Sequence, residues 1–147
     1  MLQLTPELQR QIDEQGQAAY PYEGCGLLLG RQDGDCNLVE AIFPVENAWD
    51  VAEEQRERFL ITPAAMFQAE MAALRQGLDI IGIYHSHPDH PAVASPRDLA
   101  WATWPGYSYL ITEVRDGRPG DSRSWQLAPD RSGFVEERLL LKEKETR

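Results

Sequence analysis

All three histidines of the chain fall in one stretch, Gly82-Ile-Tyr-His-Ser-His-Pro-Asp-His-Pro91. His85 and His87 are two apart in an apolar, isoleucine-rich run that reads as a strand. Strand side chains repeat every two residues, so both imidazoles face one side and can share a metal ion. Pro88 then ends the strand. Asp98 follows in the first turn of a predicted helix that opens at Ser95-Pro96 and ends before Pro105-Gly106. A loop of that length can carry the helix start back over the strand end. Two His, one Asp and a water make a tetrahedral zinc site with an open position, the catalytic form of such sites. Zinc lowers the pKa of its water and polarises a carbonyl. Glu23, in Pro21-Tyr-Glu-Gly-Cys-Gly26, is the candidate to take the water's proton. Ser95 is the candidate donor to a developing oxyanion.

Each piece alone has a plainer reading. A histidine pair at a strand end can be structural. Ser95-x-x-Asp98 is also a capping box, in which Asp98 returns a bond to the cap amide. Glu23 can be a solvated loop carboxylate. Cys25 reads as a small buried residue, and Asp89 and His90 as loop surface.

The elements that must position these groups follow from local chemistry. Thr5-Pro6, Thr62-Pro63 and Ser95-Pro96 each put a capping hydroxyl before a proline, a helix start. The first helix should run to about Tyr20, with Leu8, Ile12 and Ala19 inward. The second should run to about Gln76, with Gly77 as its left-handed stop and Phe67, Met71 and Leu74 as its apolar face. Strands are expected at Gly26–Gly30, Asn37–Phe43, Arg58–Ile61, Leu78–His87, Tyr107–Val114, Ser124–Leu127 and Phe134–Leu141. Asp116-Gly117 is a turn signal. Alternating strands and helices make an α/β or α+β domain with a mixed sheet and about three helices.

The combination resembles the JAMM motif of the MPN-domain metalloproteases. That pattern is Glu…His-(Ser/Thr)-His-x7-Ser-x2-Asp, and Glu23, His85-Ser86-His87, Ser95 and Asp98 fill it. Pro21–Gly30, Pro44-Val-Glu-Asn47 and Arg58-Phe-Leu-Ile-Thr-Pro63 are similar to further landmarks of the short bacterial members. The resemblance implies one zinc on His85, His87 and Asp98, with Glu23 as general acid/base and Ser95 stabilising the tetrahedral intermediate. It implies a cytidine-deaminase-like α/β fold, a curved mixed sheet with helices on both sides. It also implies hydrolysis of a peptide or isopeptide bond at the C-terminal tail of a ubiquitin-like protein, here of the sulfur-carrier type. The alternative is a catalytically silent MPN-type interaction scaffold. A zinc deaminase is disfavoured, because its paired Cys-x-x-Cys is absent.

Bulk properties bound the rest. The chain has 147 residues, 42% hydrophobic, with a formal charge of −10. One domain over 1–141 with a charged tail at 142–147 is expected. The acidic balance argues against nucleic-acid binding. No apolar run approaches the roughly 20 residues of a membrane span. The first residues lack a secretory pattern, so a cytoplasmic location is expected. Two cysteines, Cys25 and Cys36, do not make a disulfide framework. The sequence fixes no oligomeric state. The acidic run Glu46–Glu57 suggests a mobile lid.

Overall fold

The computed structural model describes residues 1–96, 98 and 104–144. Its elements are β1 (Leu2–Leu4), α1 (Pro6–Ala19), β2 (Cys25–Asp33), β3 (Cys36–Val45), a 3-10 turn (Ala52–Arg56), α2 (Pro63–Arg75), β4 (Asp79–Pro88), β5 (Ser108–Arg115), β6 (Arg118–Leu127), β7 (Phe134–Glu137) and β8 (Leu139–Leu141). Pro96 and Asp98 are helical, and the rest of the expected third helix lies outside the described residues.

Both described α-helices start where the sequence indicates. Thr5 accepts from the Leu8 amide and Thr62 from the Ala65 amide, each at 3.1 Å, with proline next in the chain. Gly77 follows α2 with φ +69°, and Asp116 and Gly117 turn β5 into β6 with φ of 51° and 76°.

One mixed sheet runs β7-β6-β5-β4-β2-β3-β1-β8. β4 lies near its middle, antiparallel to β2 and parallel to β5. The two helices cover opposite faces. Ala69 and Ala73 of α2 pack with Leu27, Leu29, Ile83 and Tyr109. Ile12 of α1 packs with Leu28, Ile81, Tyr84 and Leu110. Close approach is needed at the α1 contact too: a Cβ on Gly16 would stand 3.0 Å from Val114 and 3.3 Å from Ser86.

Three expectations need correcting. Arg58–Ile61 forms no strand, because its main chain bonds to the Asn47 side chain and to Ala48 rather than to a ladder. Phe134–Leu141 is split at Arg138, since β7 pairs with β6 while β8 pairs with β1. In α2, Phe67 and Leu74 point outward, at 62% and 69% exposure, and the alanines face the sheet. The three-residue β1 has no counterpart among the expected strands.

β7 and β8 stand at opposite ends of the strand order, yet only Arg138 separates them in the chain. One residue spans at most about 3.6 Å. The two ends of the sheet therefore meet, and the sheet curls into a barrel-like wall.

Candidate metal centre

The His85 and His87 side chains leave β4 on the α2 face, and both residues are buried. Ser86 between them points the other way, toward α1. Its Oγ accepts from the Gly24 amide at 2.8 Å, and its own amide donates to the Gly24 carbonyl at 2.9 Å. These bonds continue the β2–β4 ladder past its last pair, Cys25 with His85. Glu23, the residue before Gly24, therefore stands at the same end of the strand pair as His87. Glu23 is 4% exposed.

The segment after β4 is held at several points. His87 Nδ1 lies 2.8 Å from the Pro91 carbonyl, which only accepts, so Nδ1 carries the proton and Nε2 the lone pair. Trp125 Nε1 donates to the Ala92 carbonyl at 3.1 Å. Ser95 and Asp98 then bond reciprocally. The Ser95 amide donates to Asp98 Oδ2 at 2.8 Å, and the Asp98 amide donates to Ser95 Oγ at 3.1 Å. This capping box aims the Asp98 carboxylate at the imidazoles.

The three side chains converge. His85 Nε2 and His87 Nε2 are 3.0 Å apart. Asp98 Oδ1 is 3.2 Å from His85 Nε2, and Oδ2 is 3.3 Å from His87 Nε2. A tetrahedral zinc with bonds near 2.0–2.1 Å needs donors about 3.3 Å apart. The observed separations are close to that, with one Asp98 oxygen facing each histidine, so the residues present fit a zinc ion. Among the described residues, these three form the one His/Cys/Asp/Glu group with metal-binding spacing. Burial lowers the pKa of His85 and keeps the ring neutral, against the raising effect of Asp98. Burial alone would raise Asp98, but the His85 ring and the Ser95 amide hold its carboxyl well below the usual range. A neutral imidazole and an ionised carboxylate are the forms that bind a cation.

Phe59 stacks on His85, with ring centroids 4.6 Å apart, and helps fix its plane. A cavity of about 310 Å³ opens beside the group, with His85 and Asp98 among its walls and Ile61, Met66, Tyr109, Ile111 and Phe134 among its apolar lining.

Glu23, His85, His87, Ser95 and Asp98 thus lie around one end of the β2–β4 pair. His90 is exposed and stands apart. Asp89 instead accepts from the Tyr20 hydroxyl at 2.6 Å and the Asp116 amide at 2.8 Å. Cys25 is buried next to Glu23. The segment expected as a lid is bonded within itself and to Glu23, whose amide donates to the Gln55 carbonyl at 2.7 Å. Gln55 Nε2 donates to the Trp49 carbonyl, Trp49 Nε1 to Glu54, and Arg58 lies over the Trp49 ring. Sequence reasoning gave Phe59 and Gln55 no role at the site, and named Ser86 as a motif position without a role. For Ser86 a signal existed, the small polar residue between two histidines facing a Glu-Gly pair.

The model of the prokaryotic homologues of the JAB domain matches residues 5–128. The chain belongs to that family. A desampylase of Haloferax volcanii is 42% identical over 98 residues, 67% of this chain and 66% of the relative. A probable TtuB-protein conjugate cleaving protease of Thermus thermophilus is 40% identical over 84 residues, 57% of this chain and 51% of the relative. The matched stretches thus fall short of two thirds of either relative's length. Among solved structures, a protein of Desulfitobacterium hafniense has a TM-score of 0.85 at 33% identity, covering 98% of this chain and 94% of that one. A JAB1/MPN domain protein of Archaeoglobus fulgidus has a TM-score of 0.58 at 20% identity over 97% of this chain and 95% of its own, a likeness of fold. No helix among the described residues is long and apolar enough to cross a membrane.

Proposed function

We propose that this chain is a zinc-dependent metallopeptidase that hydrolyses a peptide or isopeptide bond at the C-terminal tail of a ubiquitin-like carrier protein. One observation carries the reading: two buried imidazoles and a half-buried carboxylate at zinc-ligand spacing, with buried Glu23 at the same end of the β2–β4 pair. The relatives named for desampylation and for conjugate cleavage support the reaction class.

His85, His87 and Asp98 would hold the metal. When bound, zinc supplies a Lewis acid and acidifies a water at the open position. Glu23 would take a proton from the attacking water onto its carboxylate and pass it to the leaving amine nitrogen. The Ser95 hydroxyl accepts from the Asp98 amide and keeps its own proton, which it would donate to the developing oxyanion. The apolar cavity would keep bulk water from the reacting bond. Within the same reading, the carrier is of the sulfur-carrier type, the chain works in the cytoplasm, and residues 1–141 form one domain with 142–147 as its tail. A third helix from Ser95 would complete a cytidine-deaminase-like arrangement.

Metal content and turnover test this together. Wild type should carry about one zinc per chain, and His87→Ala should lose it. Glu23→Gln should keep the zinc and slow cleavage by about a hundredfold or more. Stoichiometric zinc with full activity in His87→Ala overturns the ligand assignment. Equal absence of cleavage in wild type and Glu23→Gln, across several carrier tails, favours the silent scaffold.

A further inference from the structure

Beyond Gly24 the β2–β4 pairing ends, and the Glu23 main chain is held in another way. Its amide donates to the Gln55 carbonyl at 2.7 Å, and its carbonyl accepts from Asn47 Nδ2 at 3.1 Å. Both partners belong to the segment between β3 and α2. The Asn47 side chain gives that segment its shape. Nδ2 also donates to the Arg58 carbonyl at 2.9 Å, while Oδ1 accepts from the amides of Trp49 at 3.1 Å and Leu60 at 3.2 Å. A side-chain amide has two N–H donors and two lone pairs, and here all four are engaged. They tie together three stretches that no ladder joins: the start of β2, the turn at Trp49, and the Arg58–Leu60 run that carries Phe59 onto His85.

We propose that Asn47 is a positioning residue for the reaction: its amide holds the Glu23 main chain against the 47–60 segment and so sets where the Glu23 carboxylate stands relative to His85 and His87. The inference rests on the reading of Glu23 as the proton carrier. Proton transfer needs heavy atoms within about 2.6–3.2 Å, and a misplacement of about 1 Å can cost on the order of a hundredfold in rate. A carboxylate two bonds beyond Cβ inherits any shift of its backbone.

Asn47→Asp separates this role from general folding. It keeps the oxygen that accepts from Trp49 and Leu60, and it sets a second oxygen against the Glu23 and Arg58 carbonyls. The probe is the aminomethylcoumarin amide of a ubiquitin-like protein ending in Gly-Gly. The variant should keep about one zinc per chain. Its kcat should fall about tenfold or more, with KM within about twofold, because the loss lies in the reacting geometry. A second readout needs neither metal nor turnover. In the zinc-free protein, amide hydrogen exchange at Glu23 should quicken about tenfold or more, while Ile83 and Tyr84 in β4 stay unchanged.

Unchanged exchange at Glu23 overturns the proposal, as does raised KM with unchanged kcat. Asn47→Ala carries the same expectations, and loss of the whole fold in both variants overturns a local role. If wild type leaves the probe intact, the peptidase reading fails on its own, and the exchange experiment still judges Asn47.

Discussion

Cys25 pairs across the ladder with His85, and its thiol is held neutral. Burial is the main cause and the charge of Glu23 the second, and together they push its pKa up to about 12. At pH 8 only about one thiol in ten thousand would then be thiolate, the reactive form. Cys36 is only partly buried. Iodoacetamide at pH 8 should therefore label Cys36 in the native protein and reach Cys25 only after unfolding, as peptide mass spectrometry would show. Rapid labelling of Cys25 in the folded chain would mean that the site end of β2 is more open than described. At this scale the sequence was most legible where chemistry and local geometry coincide. The two-residue step of His85 and His87 sets their common face, and Ser95-x-x-Asp98 aims its carboxylate by its own hydrogen bonds. Asn47 and Phe59 were not legible as site residues, because their partners come from stretches that only the fold brings near.

The helix starts at Thr5 and Thr62 were readable because a hydroxyl and a proline act within one turn. The inward face of α2 was not. The helix carries two stripes of apolar residues, and periodicity selects the larger side chains, Phe67, Met71 and Leu74. The sheet instead takes Ala69 and Ala73, whose small side chains let the helix lie close over Leu27 and Leu29. Ala69→Leu should then cost about 1–3 kcal/mol through overpacking. Phe67→Ser should stay within about 0.5 kcal/mol, as for an exposed position. Urea denaturation of the two variants checks both values, and a reversed order would show that the outward stripe is covered in solution. The Arg58–Ile61 run failed for a related reason. Its composition suits a strand, but its hydrogen bonds are taken by one asparagine side chain and a neighbouring amide.

Over the whole molecule, closure depends on two short strands that pair far from each other in sequence. Leu2 pairs with Leu139 and Leu4 with Leu141, while the Leu2 amide donates to the Arg138 carbonyl at 2.9 Å. Leu139 packs against the cluster that holds Leu2, Leu4 and Ile12. Being partly buried, Leu139→Ala should cost about 1–3 kcal/mol, toward the low side of buried leucine truncations. An unchanged denaturation midpoint would show that the seam adds nothing to stability. The seam was hidden in the sequence because three-residue strands carry too little periodicity to be seen, and because a run such as Phe134–Leu141 does not reveal that it serves two partners.

That seam also orders the events of synthesis. A ribosome adds roughly 5–20 residues per second. Glu23, His85, His87 and Asp98 have all been made several seconds before Leu139, and β2, β3 and β4 can pair in the meantime. β1 is made well before β8, so one of its sides stays open until β8 emerges. A nascent chain stalled after β6 would thus carry the metal-binding side chains on a sheet whose seam is still unsewn.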